Sequence, residues 1–212
     1  IAPDMRNHGR SPHDEGMDYS LMAGDLLKLL DHLVLNSASL LGHSMGGKVA
    51  MWLALQHPER VKKLVVADIA PVTYEQGFDR LFDGLYGLGL DKIQRREEAD
   101  QVLAEWIPDK GVRQYLLQNL VKQPGGWSWR FNLGVLHKSI STLTGFPEPG
   151  RRIFAGDALF IHGERSDYVR DIYQEKIGRL FPHYRRRMLH DAGHWLYAEQ
   201  PKLFAQTVKH FL

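Results

Sequence analysis

In Ser39-Leu40-Leu41-Gly42-His43-Ser44-Met45-Gly46-Gly47-Lys48-Val49-Ala50-Met51-Trp52-Leu53-Ala54-Leu55-Gln56-His57-Pro58, a short apolar run meets a glycine-rich turn, and the turn meets a second apolar run of helical length. The spacing predicts a buried strand over residues 39–41 and a helix over 46–57, which stops before the proline. Between them, Gly42-His43-Ser44-Met45-Gly46 fits G-x-S-x-G, a sharp strand-to-helix turn with a serine at its apex. A serine hydroxyl is a weak nucleophile and must project towards a base and a substrate. Such a turn achieves that at the cost of strained backbone at Ser44. Side chains two residues either side would collide in so tight a bend, so glycine is expected to be required at both Gly42 and Gly46. The amide of Met45, at the helix start, is expected to face a developing oxyanion.

The same stretch overlaps a second pattern. Residues 42–48 also fit G-x-x-x-x-G-K, a phosphate-cradling loop, and Leu64-Val65-Val66-Ala67-Asp68 looks like the strand that carries its magnesium-binding aspartate. The next residue decides against it. Val49 stands where magnesium chelation needs a Ser or Thr hydroxyl.

Working outward, Met22, Leu26, Leu29, Leu30 and Leu33 recur at spacings of three and four, predicting one face of a helix over 19–35. Strands are predicted at 61–67, 158–161 and 186–189, and helices at 168–181 and 201–212. Strand and helix alternate at both ends, which argues for a parallel sheet covered on two faces. Residues 72–152 differ: long β-branched runs are missing, and Phe78, Phe82, Tyr86, Trp106, Tyr115, Trp127 and Trp129 are concentrated there. They read as a helical insertion, which divides the chain into core 1–71, insertion 72–152 and core 153–212. For any one of these aromatics, packing in the insertion's own core competes with lining a pocket. His43, Phe82, Tyr86, Trp127, Trp129 and Trp195 are the expected substrate-pocket side chains.

Composition bounds the chemistry. The 212 residues contain no cysteine, which excludes a disulfide framework, a cysteine nucleophile and thiolate metal sites. A formal net charge of +2 gives no argument for nucleic acid. No apolar run reaches the roughly 18 residues of a membrane helix. The opening Ile1-Ala2-Pro3-Asp4 has no leader-like pattern, so a cytoplasmic protein is expected. Arg185-Arg186-Arg187 reads as a solvated strand edge, where charge discourages edge pairing, in preference to a phosphate site. No H-E-x-x-H pair is present and no metal or other cofactor is expected.

A serine nucleophile needs a base and an acid. His194, in Asp191-Ala192-Gly193-His194-Trp195, follows a predicted strand and precedes the last helix, the position for the base in the order Ser, acid, His. Two acids compete to orient it. Asp68 ends the strand after the nucleophile helix, and Asp167 follows the next strand in Gly163-Glu164-Arg165-Ser166-Asp167. Asp167 occupies the commoner location, and the pattern alone leaves both open.

Six segments carry a family resemblance: Asp4-Met5-Arg6-Asn7-His8-Gly9-Arg10-Ser11-Pro12, Met22-Ala23-Gly24-Asp25-Leu26, residues 42–48, Asp68-Ile69-Ala70-Pro71-Val72, Trp129-Arg130-Phe131-Asn132 and Ala192-Gly193-His194-Trp195. Over nearly its whole length the chain resembles the YbfF-type esterases of bacteria and their mitochondrial α/β-hydrolase relatives. The resemblance implies the α/β-hydrolase fold: a mostly parallel sheet with helices on both faces and a helical cap inserted after the sixth strand. It implies cofactor-free hydrolysis of short acyl esters, with acyl thioesters as a further class. It implies Asp68 as the working acid, with Ser166 at the usual late-acid position and Asp167 as the alternative. Ile1-Ala2-Pro3 corresponds to the family's fourth strand, so the N-terminal strands are absent from this chain. The second oxyanion donor is therefore expected upstream of Ile1, and the missing N-terminal segment is expected as another chain or an upstream stretch, filling the gap beside residues 39–41.

Three activities follow as expectations. A carboxylesterase would use Ser44, His194 and Asp68 on a small-molecule acyl ester. An acyl-CoA thioesterase on the same fold would bring Arg130 to the phosphates. A non-catalytic binding protein on a hydrolase scaffold would not need the intact Ser, His and Asp set.

Overall fold

A computed structural model describes residues 1–75 and 77–212. In chain order the elements are α1 (Tyr19–His32), β1 (Ala38–His43), α2 (Met45–Gln56), β2 (Val61–Ala67), α3 (Asp79–Gly87), α4 (Arg96–Ala104), α5 (Lys110–Leu117), β3 (Leu120–Gln123), β4 (Gly126–Trp129), α6 (Leu133–Lys138), α7 (Ile140–Thr144), β5 (Asp157–Gly163), α8 (Gln174–Leu180), β6 (Tyr184–Leu189), α9 (Leu196–Glu199) and α10 (Pro201–Phe211). They form two compact units. One comprises Asp18–Tyr74 and Gly145–Leu212; the other comprises Ile1–Met17 and Glu75–Thr144.

The first unit holds a parallel sheet in the order β1-β2-β5-β6. Both faces of its central strands are covered, so β2 from Leu64 to Ala67 and β5 from Ala158 to Ile161 are uninterrupted buried apolar runs. On one face, Val65, Ala67, Leu159, Ile161 and Leu189 pack with Leu196 and Phe211. On the other, α2 runs so close that a Cβ on Gly47 would meet Ile69 Cγ2 at 2.6 Å. Phe160 packs edge-on against Phe181, just beyond α8. Helix α1 begins where Asp18 caps the Leu21 amide at 2.8 Å, and it ends before Val34, whose φ is 56°.

Several expectations need correction. Strand β1 is not buried: Leu41 is 46% exposed, because β1 pairs with β2 alone among the described residues. The helix expected from Tyr168 starts later, as a 3₁₀ turn at Asp171–Tyr173 followed by α8. The chain from Tyr168 to Arg170 instead turns to meet its neighbours through backbone carbonyls. Residues Ile1–Met5 form no ladder. In β6, Arg185 and Arg187 are exposed, whereas Arg186 turns inward to Asp171 at 2.5 Å and to the Val169 carbonyl at 3.1 Å.

The second unit has its own core of Phe82, Leu85, Leu88, Ile93, Ala99, Leu103, Ile107, Leu117, Leu120 and Phe131. It is not wholly helical. Strands β3 and β4 form an antiparallel hairpin around Pro124-Gly125, and Trp127 and Trp129 sit on it. Two of the segments that carry the family resemblance meet here. Asn7, fully buried with φ 64°, accepts the Asn132 amide on its carbonyl at 2.9 Å. The two side chains also bond, at 3.3 Å. Phe82 is part of this core and stacks on His137 at 4.3 Å, while Tyr86 is 53% exposed. Trp127 and Trp129 are partly buried against the same core.

Among the described residues no helix is long and apolar enough to cross a membrane.

Candidate active site

Parallel register brings two strand ends level. His43 pairs with Ala67, and Ala67 pairs with Ile161. Ser44 and Asp68 are the next residues, so both leave the sheet at its C-terminal edge, where sites of open α/β sheets form. Both have positive φ: 52° at Ser44, with ψ −122°, and 52° at Asp68. For residues with a Cβ this backbone is strained. Two ladder-like bonds hold it, Ser44 N–H to the Ala67 carbonyl at 3.0 Å and Asp68 N–H to the Ile161 carbonyl at 2.8 Å. Ser44 then caps α2, whose first-turn amides, Met45 among them, have no partner one turn earlier in the helix.

The glycine requirement is narrower than the sequence suggests. A Cβ on Gly42 would lie 2.2 Å from the Gly46 carbonyl oxygen, an impossible contact with backbone. Gly46 itself has nothing within 4 Å of its Cβ position; Gly47, against Ile69, is the second crowded glycine. Gly42→Ala is therefore expected to destabilise the protein by about 1–3 kcal/mol or more, with Gly46→Ala close to wild type. Urea midpoints compare the two directly. The same packing removes the phosphate-loop alternative, since Lys48 is 1% exposed and unavailable to a nucleotide.

Asp68 is fully buried and its carboxylate accepts three hydrogen bonds. Oδ1 receives the Gly163 amide at 3.1 Å. Oδ2 receives the Ser166 hydroxyl and His194 Nδ1, the latter at 2.8 Å. A carboxylate can only accept, so Nδ1 carries the proton and His194 Nε2 is left with a lone pair. Asp167, the competing acid, is exposed two residues before Val169 and does not occupy this position. Its neighbour Ser166 turns inward in its place.

The loop carrying His194 is fastened at several points. Asp191 has φ 55°, and its amide binds Glu164 Oε2 at 3.0 Å. The Gly193 amide binds Glu199 Oε2 at 2.9 Å. Gly163 lets this loop approach, since a Cβ there would meet the Gly193 carbonyl at 2.3 Å. The Tyr168 ring lies 4.3 Å from the His194 ring.

His43, expected to line a substrate pocket, also has a structural task. Its Nε2–H donates to the His194 carbonyl at 2.9 Å, and its ring contacts those of His194 at 4.5 Å and Tyr197 at 5.0 Å. The residue beside Ser44 is thus tied to the backbone of His194. Trp195 belongs to the same ring cluster, 5.6 Å from His43. Burial, and then the nearby His194, push the His43 pKa down to about 4. Because the folded value lies below the unfolded one, the unfolded chain binds a proton between pH 6.5 and 4 that the native state refuses. Stability is therefore lost as pH falls through that window, by on the order of 3 kcal/mol. Urea unfolding at pH 7 and pH 4.5 should show wild type losing more than His43→Phe; parallel losses would contradict the assignment.

Tyr168 went unmarked in the sequence, and the hydrogen bonds that His43 and Ser166 make had no local signal, because their partners lie 151 and 98 residues away. Only the position of Ser166, one residue before Asp167, gave a hint. Arg130 is exposed, with its carbonyl accepting His13 Nε2 at 3.0 Å. Among the described residues no three or more His, Asp or Glu side chains are grouped to hold a metal ion.

A strained serine at the start of a helix on the sheet's C-terminal edge, with a buried aspartate at the next strand end bonded to a histidine on the loop after β6, is the arrangement of an α/β-hydrolase. Residues 1–201 match the alpha/beta hydrolase fold family, and the chain belongs to it and is a hydrolase enzyme. It is 40% identical to the sn-1-specific diacylglycerol lipase ABHD11 of Mus musculus, over all of this chain and 71% of that protein. It is 37% identical to esterase YbfF of Escherichia coli, over all of this chain and 82% of that one. Among solved structures, a marine microorganism esterase superposes with a TM-score of 0.94 at 36% identity, covering 99% of this chain and 83% of the other.

Proposed function

We propose that this chain is a serine esterase that hydrolyses short-chain carboxylic esters through an acyl-enzyme. The observation that carries the reading is the 2.8 Å contact of His194 Nδ1 with a buried Asp68, beside a serine held at positive φ. The similarity to named esterases and to a lipase supports ester carbonyl chemistry.

In this mechanism Ser44 Oγ attacks the ester carbonyl carbon while His194 Nε2 takes its proton. Asp68 orients the imidazole through Nδ1 and stabilises the imidazolium that forms. The Met45 amide donates to the tetrahedral oxyanion, aided by the N-terminal end of α2. Collapse expels the alcohol, which receives the proton from His194. Water then attacks the acyl-Ser44 ester with His194 again as base, releasing the carboxylic acid and restoring Ser44. The open edge of β1, with Leu41 half exposed, supports a further upstream strand beside it.

Hydrolysis of p-nitrophenyl acetate, butyrate and octanoate, with acyl-CoA thioesters of the same chain lengths in parallel, tests the reading. Ester turnover falling with chain length is expected. Turnover of the thioesters alone would replace the esterase by a thioesterase.

A further inference from the structure

Lys48 lies one turn beyond Ser44 on α2, and its amide bonds the Ser44 carbonyl at 3.1 Å. A lysine that is 1% exposed is unusual, since transferring an ammonium group out of water is costly. Burial, and then repulsion from Lys176, push its pKa down to about 7. Its side chain has definite partners. The Nζ donates to the Gly145 carbonyl at 2.5 Å and stands 4.8 Å from the centre of the Tyr74 ring, with Tyr19 at 5.9 Å. Both distances to the rings are within cation–π range.

Tyr74 and Gly145 are not arbitrary contacts. They are the residues at which the chain leaves the sheet-bearing unit and re-enters it. Tyr74 is also a bridge. Its hydroxyl accepts the Ala70 amide at 2.8 Å and donates to the Tyr168 carbonyl at 2.6 Å. Ala70 lies two residues after Asp68. Tyr168 lies two residues after Ser166, whose hydroxyl is on Asp68, and its ring packs against His194. A continuous set of contacts therefore runs from the nucleophile helix through Lys48 and Tyr74 to the Asp68 loop and to the loop after β5, whose Tyr168 ring packs on His194.

We propose that Lys48 is a positioning residue for the hydrolytic reaction: by gripping Tyr74 and Gly145 from the nucleophile helix, it sets the Asp68 and His194 loops in register with Ser44. It touches neither substrate nor the reacting atoms. The inference rests on the Ser44, His194 and Asp68 reading above. Its effect belongs on kcat, because misplacing a base by a fraction of an ångström slows proton transfer without removing binding surface.

The test compares wild type, Lys48→Met, Tyr74→Phe and the double variant on p-nitrophenyl butyrate, with Ser44→Ala as the inactive control. Methionine keeps the length and loses both the donor and the charge. Tyr74→Phe keeps the ring under Lys48 and loses the hydroxyl bridge. Each single change is expected to lower kcat by about tenfold with KM within about twofold. The double variant should lose little more than the worse single one, because the two act through one connection. Lys48→Met should melt within a few degrees of wild type, since a buried ammonium with a lowered pKa contributes no net stability in its charged form. Unchanged kcat in either single variant, full additivity, or failure of Lys48→Met to fold would overturn the positioning role. An inactive wild type, by contrast, would defeat the esterase reading itself.

Discussion

Ser44→Ala is expected to lower kcat on p-nitrophenyl esters by about a million-fold, to the level that binding and oxyanion contacts alone provide. The size follows from where the hydroxyl sits. Ser44 caps α2 at φ 52°, so its side chain leaves the sheet edge and its own amide remains in the β2 ladder through the Ala67 carbonyl. No other serine is placed between a strand end and a helix start in that conformation among the described residues with positive φ. The backbone tolerates alanine at this position as well as serine, since the strain comes from the Cβ that both share. The variant should therefore fold normally, and loss of activity with an unchanged melting curve separates chemistry from folding.

Asp68→Asn is expected to cost about 10⁴-fold in kcat. The carboxylate accepts from Gly163, Ser166 and His194 at once. An amide side chain offers an NH₂ to one of these donors, and the substitution favours the His194 tautomer with its proton on Nε2, which cannot act as base towards Ser44. Asp167→Asn, at an exposed position, should leave kcat close to wild type. Kinetics of the two variants side by side decide between the acids; a large loss in Asp167→Asn with a small one in Asp68→Asn would reverse the assignment. Ser166→Ala belongs in the same series with an intermediate loss, because it removes one of the three donors and leaves the histidine contact.

The contrast between these two acids shows what a sequence can and cannot carry. Residues 39–67 were legible because each feature is local: a glycine turn, an apolar run of helical length, a β-branched run. The observed β1, α2 and β2 follow that pattern within a few residues. The choice between Asp68 and Asp167 is not local. It depends on which of two neighbouring strand ends turns a carboxylate inward, and the pattern leaves both at the same sheet edge. Family resemblance, not spacing, favoured Asp68.

The insertion was less legible, for a different reason. Its hairpin is two strands of four residues each, too short for alternation to stand out, and its tryptophans suggested a pocket lining in place of a sheet. The proline and glycines at 124–126 were the available signal. Gly46 is the reverse case, a motif glycine whose crowding was expected and whose Cβ position is open. Long-range supports such as His43 on the His194 carbonyl leave no periodic trace at all, since a single side chain meets backbone 151 residues away.

Covalent labelling tests the central claim most directly. Wild-type protein treated with a serine-directed fluorophosphonate, digested and mapped by mass spectrometry should carry one adduct, on Ser44, formed far more slowly in Asp68→Asn. An unmodified Ser44, or an adduct on another serine with esterase activity lost in step, would contradict it.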